Sequence, residues 1–224
     1  MKALYFNCSS GISGNMVVAA LLDLGISSKF LISSLRKLPL GNYNVKIRKS
    51  GKGTSFVVSA GKETRHRNLK DIYRIIDESS LCLEVKSLSR NIFLNLAKAE
   101  AKVHKCSIER IYFHEVGAID SIIDIVAAAI LINKLAPEKI CCSIISVGCG
   151  HIKSAHGRMK VPVPAVRELL KDFPLTQLNI PTEITTPTGA AILNTVVDDV
   201  LSKEYVKAEK RGFGKGTKKL PIDN

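Results

Sequence analysis

The chain has 224 residues, of which 46% are hydrophobic and 24% charged, and its formal net charge is +13. This length and composition predict a globular protein with one large domain, or with one domain and a small appendage. Aromatic residues make up 5% and tryptophan is absent, which argues against a protein that stacks nucleic-acid bases on aromatic side chains. The amino-terminal residues are too polar for a signal peptide, and no apolar stretch reaches about 18 residues. We therefore expect a cytoplasmic protein without a membrane span.

The first predicted elements are a strand at 2–7 and a helix at 16–24, joined by the small-residue loop 8–15. A loop of this kind presents free backbone N–H groups at a helix N-terminus, where anions bind. It lacks the lysine and the spacing of a Walker A loop, so an ordinary strand-to-helix turn is the alternative. The candidate substrate-binding residues of the loop are Ser10, Gly11, Ser13 and Gly14.

Residues 27–105 contain the next predicted elements. Hydrophobic spacing indicates helices at 27–38, 68–78 and 84–105, and a hairpin of strands at 42–49 and 54–60. Residues 29–74 carry twelve Lys and Arg against two acids. Such a region suits phosphates, nucleotides or nucleic acid, and a general lysine bias of the sequence is the alternative.

Residues 112–126 contain no Lys or Arg, and their charged side chains are Glu115, Asp120 and Asp124, with His114 beside them. Asp120 and Asp124 are four apart in a predicted helix that is apolar nearly all round, so their carboxylates share one face. Two acids there need backbone N–H groups, a cationic substrate or a metal as partners. With His114 and Glu115 they offer N and O ligands to a divalent transition metal. Alternatively, Asp120 caps the helix or interacts favourably with its dipole, and His114 is a hydrogen-bonded histidine of the core.

This helix is predicted to run to about residue 134, and a strongly apolar strand at 139–147 follows. The strand leads into a glycine- and histidine-bearing loop at 148–158, where α/β proteins place ligands. Arg158 in this loop suits a phosphate or a carboxylate. His156, next to Gly157, is a candidate for catalysis, although a histidine is more often structural.

The last predicted elements are helices at 165–171 and from Pro187 onward, and a strand at 203–210. Thr186 and Thr188 lie at the start of the second helix and suit a phosphate, with helix capping as the alternative. The alternation of elements predicts an α/β fold with a mixed sheet, helices on its faces and ligand loops at one edge. We expect one domain at 1–210, a Gly- and Lys-rich tail at 211–224, and a cluster of the loops 8–15, 112–124 and 148–158.

Four ordered motifs resemble the nickel-insertion (LarC) family of nickel-pincer cofactor synthesis. They are Gly-Ile-Ser-Gly at 11–14, Phe-His-Glu-Val-Gly-Ala-Ile-Asp-Ser at 113–121, Ser-Ala-His-Gly at 154–157 with Val-Pro-Val-Pro at 161–164, and Thr-Thr-Pro-Thr-Gly-Ala-Ala at 185–191. The resemblance covers essentially the whole chain. It implies that nickel is inserted into pyridinium-3,5-bisthiocarboxylic acid mononucleotide, with CTP hydrolysis, to make the cofactor of lactate racemase and related enzymes.

The candidate residues fit the chemistry that this resemblance implies. Imidazole and carboxylates would hold Ni2+ and then pass it to the softer sulfur and carbon ligands of the substrate. The expected nickel ligands are His114, Glu115, Asp120 and Asp124. The expected catalytic residues are Glu115 and His156. The substrate phosphate is expected at the loop 8–15, at Arg158, or at Thr186 and Thr188.

Three features depart from the family's pattern. Asn7 and Asn15 stand where the family usually carries acids, and a histidine-rich insertion expected near 65–67 is absent. The C-terminal half of the family, which binds CTP with Mg2+ or Mn2+, is expected as a companion chain. We therefore expect a lyase-type nickel chelatase that needs its companion, with a non-catalytic nickel or cofactor carrier, or an inactive truncated copy, as the alternatives. Nucleic acid is not an expected partner, and a homo-oligomer is left open.

Overall fold

The computed structural model describes residues 2–61, 67–113, 117–154, 157–218 and 220. Seven α-helices form in these ranges: α1 (Gly14–Asp23), α2 (Ser28–Leu35), α3 (Leu69–Asp77), α4 (Leu83–His104), α5 (Ile119–Leu135), α6 (Pro164–Leu169) and α7 (Pro187–Val196). The strands are β1 (Ala3–Phe6), β2 (Tyr43–Ser50), β3 (Gly53–Ala60), β4 (Arg67–Asn68), β5 (Tyr112–Phe113), β6 (Lys139–Cys142), β7 (Ile145–Val147), β8 (His151–Ser154), β9 (Gly157–Lys160), β10 (Leu175–Gln177), β11 (Asp199–Val200) and β12 (Gly214–Lys215). The α/β class is confirmed. The strands form several small sheets rather than one.

A parallel sheet of β1, β6 and β11 lies at the centre, with β6 in the middle. The predicted strand at 139–147 is divided into β6 and β7 at Ser143, whose side-chain hydroxyl accepts a hydrogen bond from the Cys8 N–H at 2.8 Å. The chain after β1 also runs beside β7, because the Ser146 N–H donates to the Cys8 carbonyl at 3.1 Å. The loop that follows β1 is thereby fixed on the sheet.

The predicted hairpin is confirmed, since β2 and β3 pair antiparallel from Tyr43↔Ala60 to Ser50↔Gly53. A third strand, β12, adds to β3 in parallel. The Phe213 carbonyl next to it accepts a hydrogen bond from the Thr54 N–H at 2.8 Å. Gly214 lies so close to α1 that a Cβ there would sit 2.0 Å from the Met16 carbonyl oxygen. Residues 212–218 thus contact the body of the protein; a domain boundary at 210 stays a prediction.

Helix α5 is the buried centre of the helical layer, packed against α1, α2, α4 and α7. Almost every side chain from Ile122 to Ile132 is buried. Each fully buried aliphatic side chain contributes about 1.5–3 kcal/mol through the hydrophobic effect. The helix ends where Ala136 adopts a left-handed conformation with φ +47° before Pro137, so the predicted end is confirmed. None of the helices in the described ranges has both the length and the hydropathy needed to cross a membrane.

Two predicted elements are wrong. The strand at 203–210 does not form; this segment contains a 3-10 turn at Lys203–Tyr205 and is largely exposed, because its charged residues leave no apolar face to bury. The predicted loop at 148–158 contains the antiparallel hairpin β8–β9. Its partly buried Ile152 and Met159 are a directly opposed pair packed against the core, and this packing selects the strand conformation.

Candidate functional site

Two loops meet at the N-terminus of α1. The Ile12 N–H donates to the Ile184 carbonyl at 3.0 Å, and the Thr186 N–H donates to the Ile12 carbonyl at 3.0 Å. Gly11 has φ +82°, and a Cβ there would lie 2.2 Å from the Ile184 carbonyl oxygen. Only glycine combines that backbone conformation with so close an approach. The first and last predicted motifs are therefore in direct contact.

The first N–H groups of α1 find their acceptors on other helices. The N-cap residue Ser13 makes no side-chain capping bond. Instead, the Gly14 N–H donates to Thr188 Oγ1 at 3.3 Å, and the Asn15 N–H donates to the Asp124 carboxylate. A Cβ on Gly14 would lie 2.9 Å from Asp124 Cβ, so α5 approaches α1 closely here. Helix N-termini leave such donors unpaired and carry positive dipole charge, and a carboxylate satisfies both.

The Asp124 carboxyl group has a perturbed pKa. Burial raises its pKa well above the usual value, the nearby Asp120 carboxylate raises it further, and the hydrogen bond from the Asn15 N–H acts in the opposite direction. Asp120 itself is exposed in the first turn of α5, where its charge is favourable to the helix dipole. It does not cap α5, because the N-cap is Ala118 and no side chain caps it. The two acids are therefore neighbours, as their spacing predicts.

The three threonines of the 185–191 motif have different environments. Thr186 is the N-cap of α7, and its Oγ1 accepts a hydrogen bond from the Gly189 N–H at 3.3 Å. Its hydroxyl also lies 2.9 Å from that of Thr188. Thr185 is buried and donates to the Ser146 carbonyl at 2.7 Å. Capping thus accounts for Thr186, and Thr188 connects α7 to α1.

The loop 8–15 carries several neutral polar side chains. Ser13 Oγ donates to Asn15 Oδ1 at 2.5 Å, and Ser10 is partly exposed. Asn7 is exposed and its Oδ1 accepts the Ser9 N–H at 3.3 Å. Ser13 and Asn15 thus lie at the N-terminus of α1, where the half-buried Asp124 accepts the Asn15 N–H.

The predicted ligands His114 and Glu115 lie outside the described residues, as does the predicted catalytic His156. In the ranges that the structure describes, no group of three or more His, Cys, Asp or Glu side chains is placed to hold a metal ion. The four-residue nickel set and the role of His156 stay predictions.

Sequence reasoning gave no role to Arg67, which is buried beside this segment. Its Nη1 donates to the Gly117 carbonyl at 2.8 Å, and β4 pairs it with Phe113. Phe113 and Gly117 flank residues 114–116, and a Cβ on Gly117 would lie 2.7 Å from the Phe113 carbonyl oxygen. Arg67 therefore holds both ends of the segment that carries His114 and Glu115. The signal for this role in the sequence was the position of Arg67 directly before the predicted helix at 68–78.

Arg158 lies on the β8–β9 hairpin, whose base contacts residues 180–182. The Cys149 N–H donates to the Ile180 carbonyl at 2.8 Å. Between the hairpin and this segment is an open cleft of about 560 Å3. It is lined by Gly150, His151, Ile152, Lys153, Gly157, Arg158 and Pro181. The segment 180–188 thus contacts both the cleft and the N-terminus of α1.

A family model described as nickel insertion protein matches residues 4–224. The chain belongs to this family. A putative nickel insertion protein of Dictyoglomus thermophilum is 40% identical over all of this chain and 59% of its own length. Proteins of Clostridium kluyveri and Desulfitobacterium hafniense, both named pyridinium-3,5-bisthiocarboxylic acid mononucleotide nickel insertion protein, are 44% identical over all of this chain. This chain covers 60% and 57% of their lengths, less than two thirds of each. No solved structure matches it.

Proposed function

We propose that this chain takes part in inserting nickel into pyridinium-3,5-bisthiocarboxylic acid mononucleotide, the molecule in the names of the Clostridium kluyveri and Desulfitobacterium hafniense relatives. The observation that carries the proposal is the position of Asp124. Asp124 is half-buried and lies beside Asp120, at the point where the loop 8–15, α5 and the 185–191 motif meet. Two adjacent carboxylates are a favourable site for a divalent cation, because the cation offsets their mutual repulsion.

Nickel, the ion to be inserted, is held in this proposal by His114, Glu115, Asp120 and Asp124. Support comes from Asp124, which contacts the α1 N-terminus and has Asp120 beside it, and from Arg67, which fixes the flanks of the His114–Glu115 segment. Imidazole and carboxylate ligands bind nickel more weakly than thiolates do. The sulfur groups of the mononucleotide are softer ligands and therefore draw the ion from the protein to the substrate.

The substrate lies in this proposal against Ser10, Gly11, Ser13, Gly14, Thr186 and Thr188, with its phosphate toward Arg158. Support comes from the hydroxyl groups of Ser13, Thr186 and Thr188, which lie at the N-terminus of α1, and from the segment 180–188, which reaches from there to the hairpin. Glu115 and His156 exchange the protons that ligand replacement releases or takes up.

CTP hydrolysis with Mg2+ or Mn2+, supplied by a C-terminal companion, completes the reaction in this proposal. The relatives are longer than the chain, which leaves room for such a part. The product is the nickel-pincer cofactor of lactate racemase and related enzymes, and the reaction is a lyase-type metal insertion. We place it in the cytoplasm, where reducing conditions preserve free thiols; all six cysteines lie in the described ranges and are free.

The test is CTP-dependent nickel incorporation into the mononucleotide, measured with this chain alone and with a C-terminal half of a relative added. Incorporation that needs both parts, and that stops on Asp124→Asn, is the expected result. The competing function is a non-catalytic nickel carrier, which the neutral Asn7 and Asn15 favour, because the family usually carries acids at these two positions. Nickel bound at Asp124 without incorporation under either condition would establish the carrier. Absence of nickel binding to the folded chain would exclude both.

A further inference from the structure

One face of the β8–β9 hairpin carries His151, Lys153, Arg158 and Lys160. The register places Lys153 directly opposite Arg158, and His151 directly opposite Lys160. Side chains two apart on a strand, and side chains directly opposite on its partner, share a face of the sheet. All four are exposed, whereas Ile152 and Met159 of the other face pack against the core. The hairpin therefore has one apolar face and one basic face.

The positive charge of this face is not balanced by ion pairs with the residues that the structure describes. In the described part of the chain, no carboxylate forms an ion pair with any of these four side chains. Opposed side chains have Cβ atoms about 5 Å apart, and like charges at that distance repel each other and destabilise the hairpin. An anion bound across the Lys153–Arg158 pair would remove this repulsion.

The same face borders the 560 Å3 cleft, which His151, Lys153 and Arg158 line on one side and Pro181 on the other. This volume lies in the usual range of about 300–1,000 Å3 for small-molecule sites. Hydrogen bonds hold the frame of the cleft: the Cys149 N–H donates to the Ile180 carbonyl at 2.8 Å, and the Val161 N–H donates to the Gly150 carbonyl at 2.9 Å. The basic groups thus border an open cleft whose frame is held by these hydrogen bonds.

We infer that this face of the hairpin is a phosphate-monoester site, with Arg158 and Lys153 as the main contacts and His151 beside them. An arginine fork matches two phosphate oxygens and a lysine adds a mobile point charge. The N-terminus of α1, the other expected phosphate position, already donates the Gly14 N–H to Thr188 and the Asn15 N–H to Asp124. A phosphate there would also meet the charge of Asp120. In this inference, Asp120 and Asp124 and the basic face of the hairpin therefore bind different parts of one ligand.

The inference rests on the proposed function for the identity of the ligand, which is the phosphate group of the mononucleotide. A free phosphate has the same chemistry, so both must be measured. The probes are inorganic phosphate and nicotinic acid mononucleotide, a pyridinium mononucleotide without thiocarboxylates, titrated calorimetrically into the full chain. We expect both to bind and to compete with each other. We expect the affinity of both to fall as the salt concentration rises.

The test variant is Lys153→Gln with Arg158→Gln, and the matched control is Lys46→Gln, an exposed lysine on β2. Loss of two charge-assisted contacts should weaken the binding of the mononucleotide and of phosphate by about 10- to 100-fold. The control should leave both affinities unchanged. Unchanged affinity in the double variant, or mononucleotide binding that phosphate does not displace, would overturn the inference.

A nickel titration separates this result from the proposed function. We expect the double hairpin variant to bind nickel as the unaltered chain does, and Asp124→Asn to lose nickel while it keeps nicotinic acid mononucleotide. If no nickel binds at Asp124 but the hairpin variant still loses the mononucleotide, the phosphate site stands and the nickel proposal fails. If nickel binds but the double hairpin variant still binds the mononucleotide normally, only the inferred phosphate site is excluded.

Discussion

Asp124 of α5 accepts a hydrogen bond from the backbone N–H of Asn15 in the first turn of α1. This bond gives the carboxylate a structural role, since it supplies α1 with an acceptor that its own N-cap residue does not provide. The proposed nickel ligand is thus also a helix cap. The two roles differ in what they require, because an amide oxygen can cap a helix but binds a divalent transition metal much more weakly than a carboxylate does.

Asp124→Asn should therefore separate the two roles. The amide oxygen can still accept the Asn15 N–H, and burial no longer disfavours a charge, so we expect an unfolding free energy equal to or above that of the unaltered chain. Nickel binding should be lost. Urea denaturation and a nickel titration measure the two effects. Asp172→Asn, which changes an exposed acid on the loop after α6, should alter neither. Normal nickel affinity in the Asp124→Asn variant would exclude Asp124 as a ligand.

Asp124→Ala should behave differently from the asparagine variant. It removes the acceptor as well as the charge, and loss of a helix cap costs about 0.5–2 kcal/mol. We expect a lower urea midpoint than for Asp124→Asn, with an unchanged slope of unfolding free energy against urea. Equal midpoints for the two variants would show that the hydrogen bond to the Asn15 N–H does not stabilise α1.

Gly11→Ala should be strongly destabilising. The new Cβ would meet the Ile184 carbonyl at 2.2 Å, and the residue has φ +82°. Strain and overpacking together cost at least about 2 kcal/mol. Gly41→Ala is the control, because no atom lies within 4 Å of its Cβ position, and we expect a change within about 0.5 kcal/mol. Thermal or urea unfolding measures both, and similar values would contradict the close approach of the two loops.

The environment of the Asp23 carboxyl group leads us to expect that the stability of the fold depends on pH. Hydrogen bonds from the Phe213 N–H and Thr54 Oγ1 lower the pKa of its carboxyl group, with Lys49 also contributing, although burial opposes them. An acid whose pKa is lower in the folded state stabilises the fold above its unfolded pKa of about 3.9, and this contribution is lost as pH falls toward the folded pKa. Asp23→Asn should therefore be less stable than the unaltered chain at pH 7. The difference should shrink below about pH 4. A difference that stays constant from pH 7 to pH 3 would contradict it.

Arg67→Met should weaken the segment that carries the proposed ligands. Removal of the guanidinium takes away the donor to the buried Gly117 carbonyl, and loss of a charged donor of this kind costs about 1.5–3 kcal/mol. We expect a lower unfolding free energy and a lower nickel affinity. Arg74→Met, at an exposed position of α3, is the control and should change both quantities little. Equal effects of the two substitutions would remove Arg67 from the site.

The sequence predicted what depends on local pattern and left unpredicted what depends on distant contacts. The end of helix α5 was predicted within one residue, because the helix is a long apolar run that Pro137 follows. The β8–β9 hairpin was missed, since its strands are short, glycine-flanked and basic, and only the packing of Ile152 and Met159 fixes them. The spacing of Asp120 and Asp124 was visible, but their contact with Asn15 required α1 to be placed against α5.

The connection between Gly14 and Thr188 spans 174 residues, and the one between Asp23 and Phe213 spans 190. Contacts between residues so distant in sequence need much more of the chain than the local contacts of helices and hairpins, and they slow folding. A growing chain on the ribosome can thus form α1 and α5 long before the threonines and the last strand arrive. Any function of this region is therefore acquired only when synthesis of these residues is nearly finished, and unfinished chains lack the assembled surroundings of Asp124.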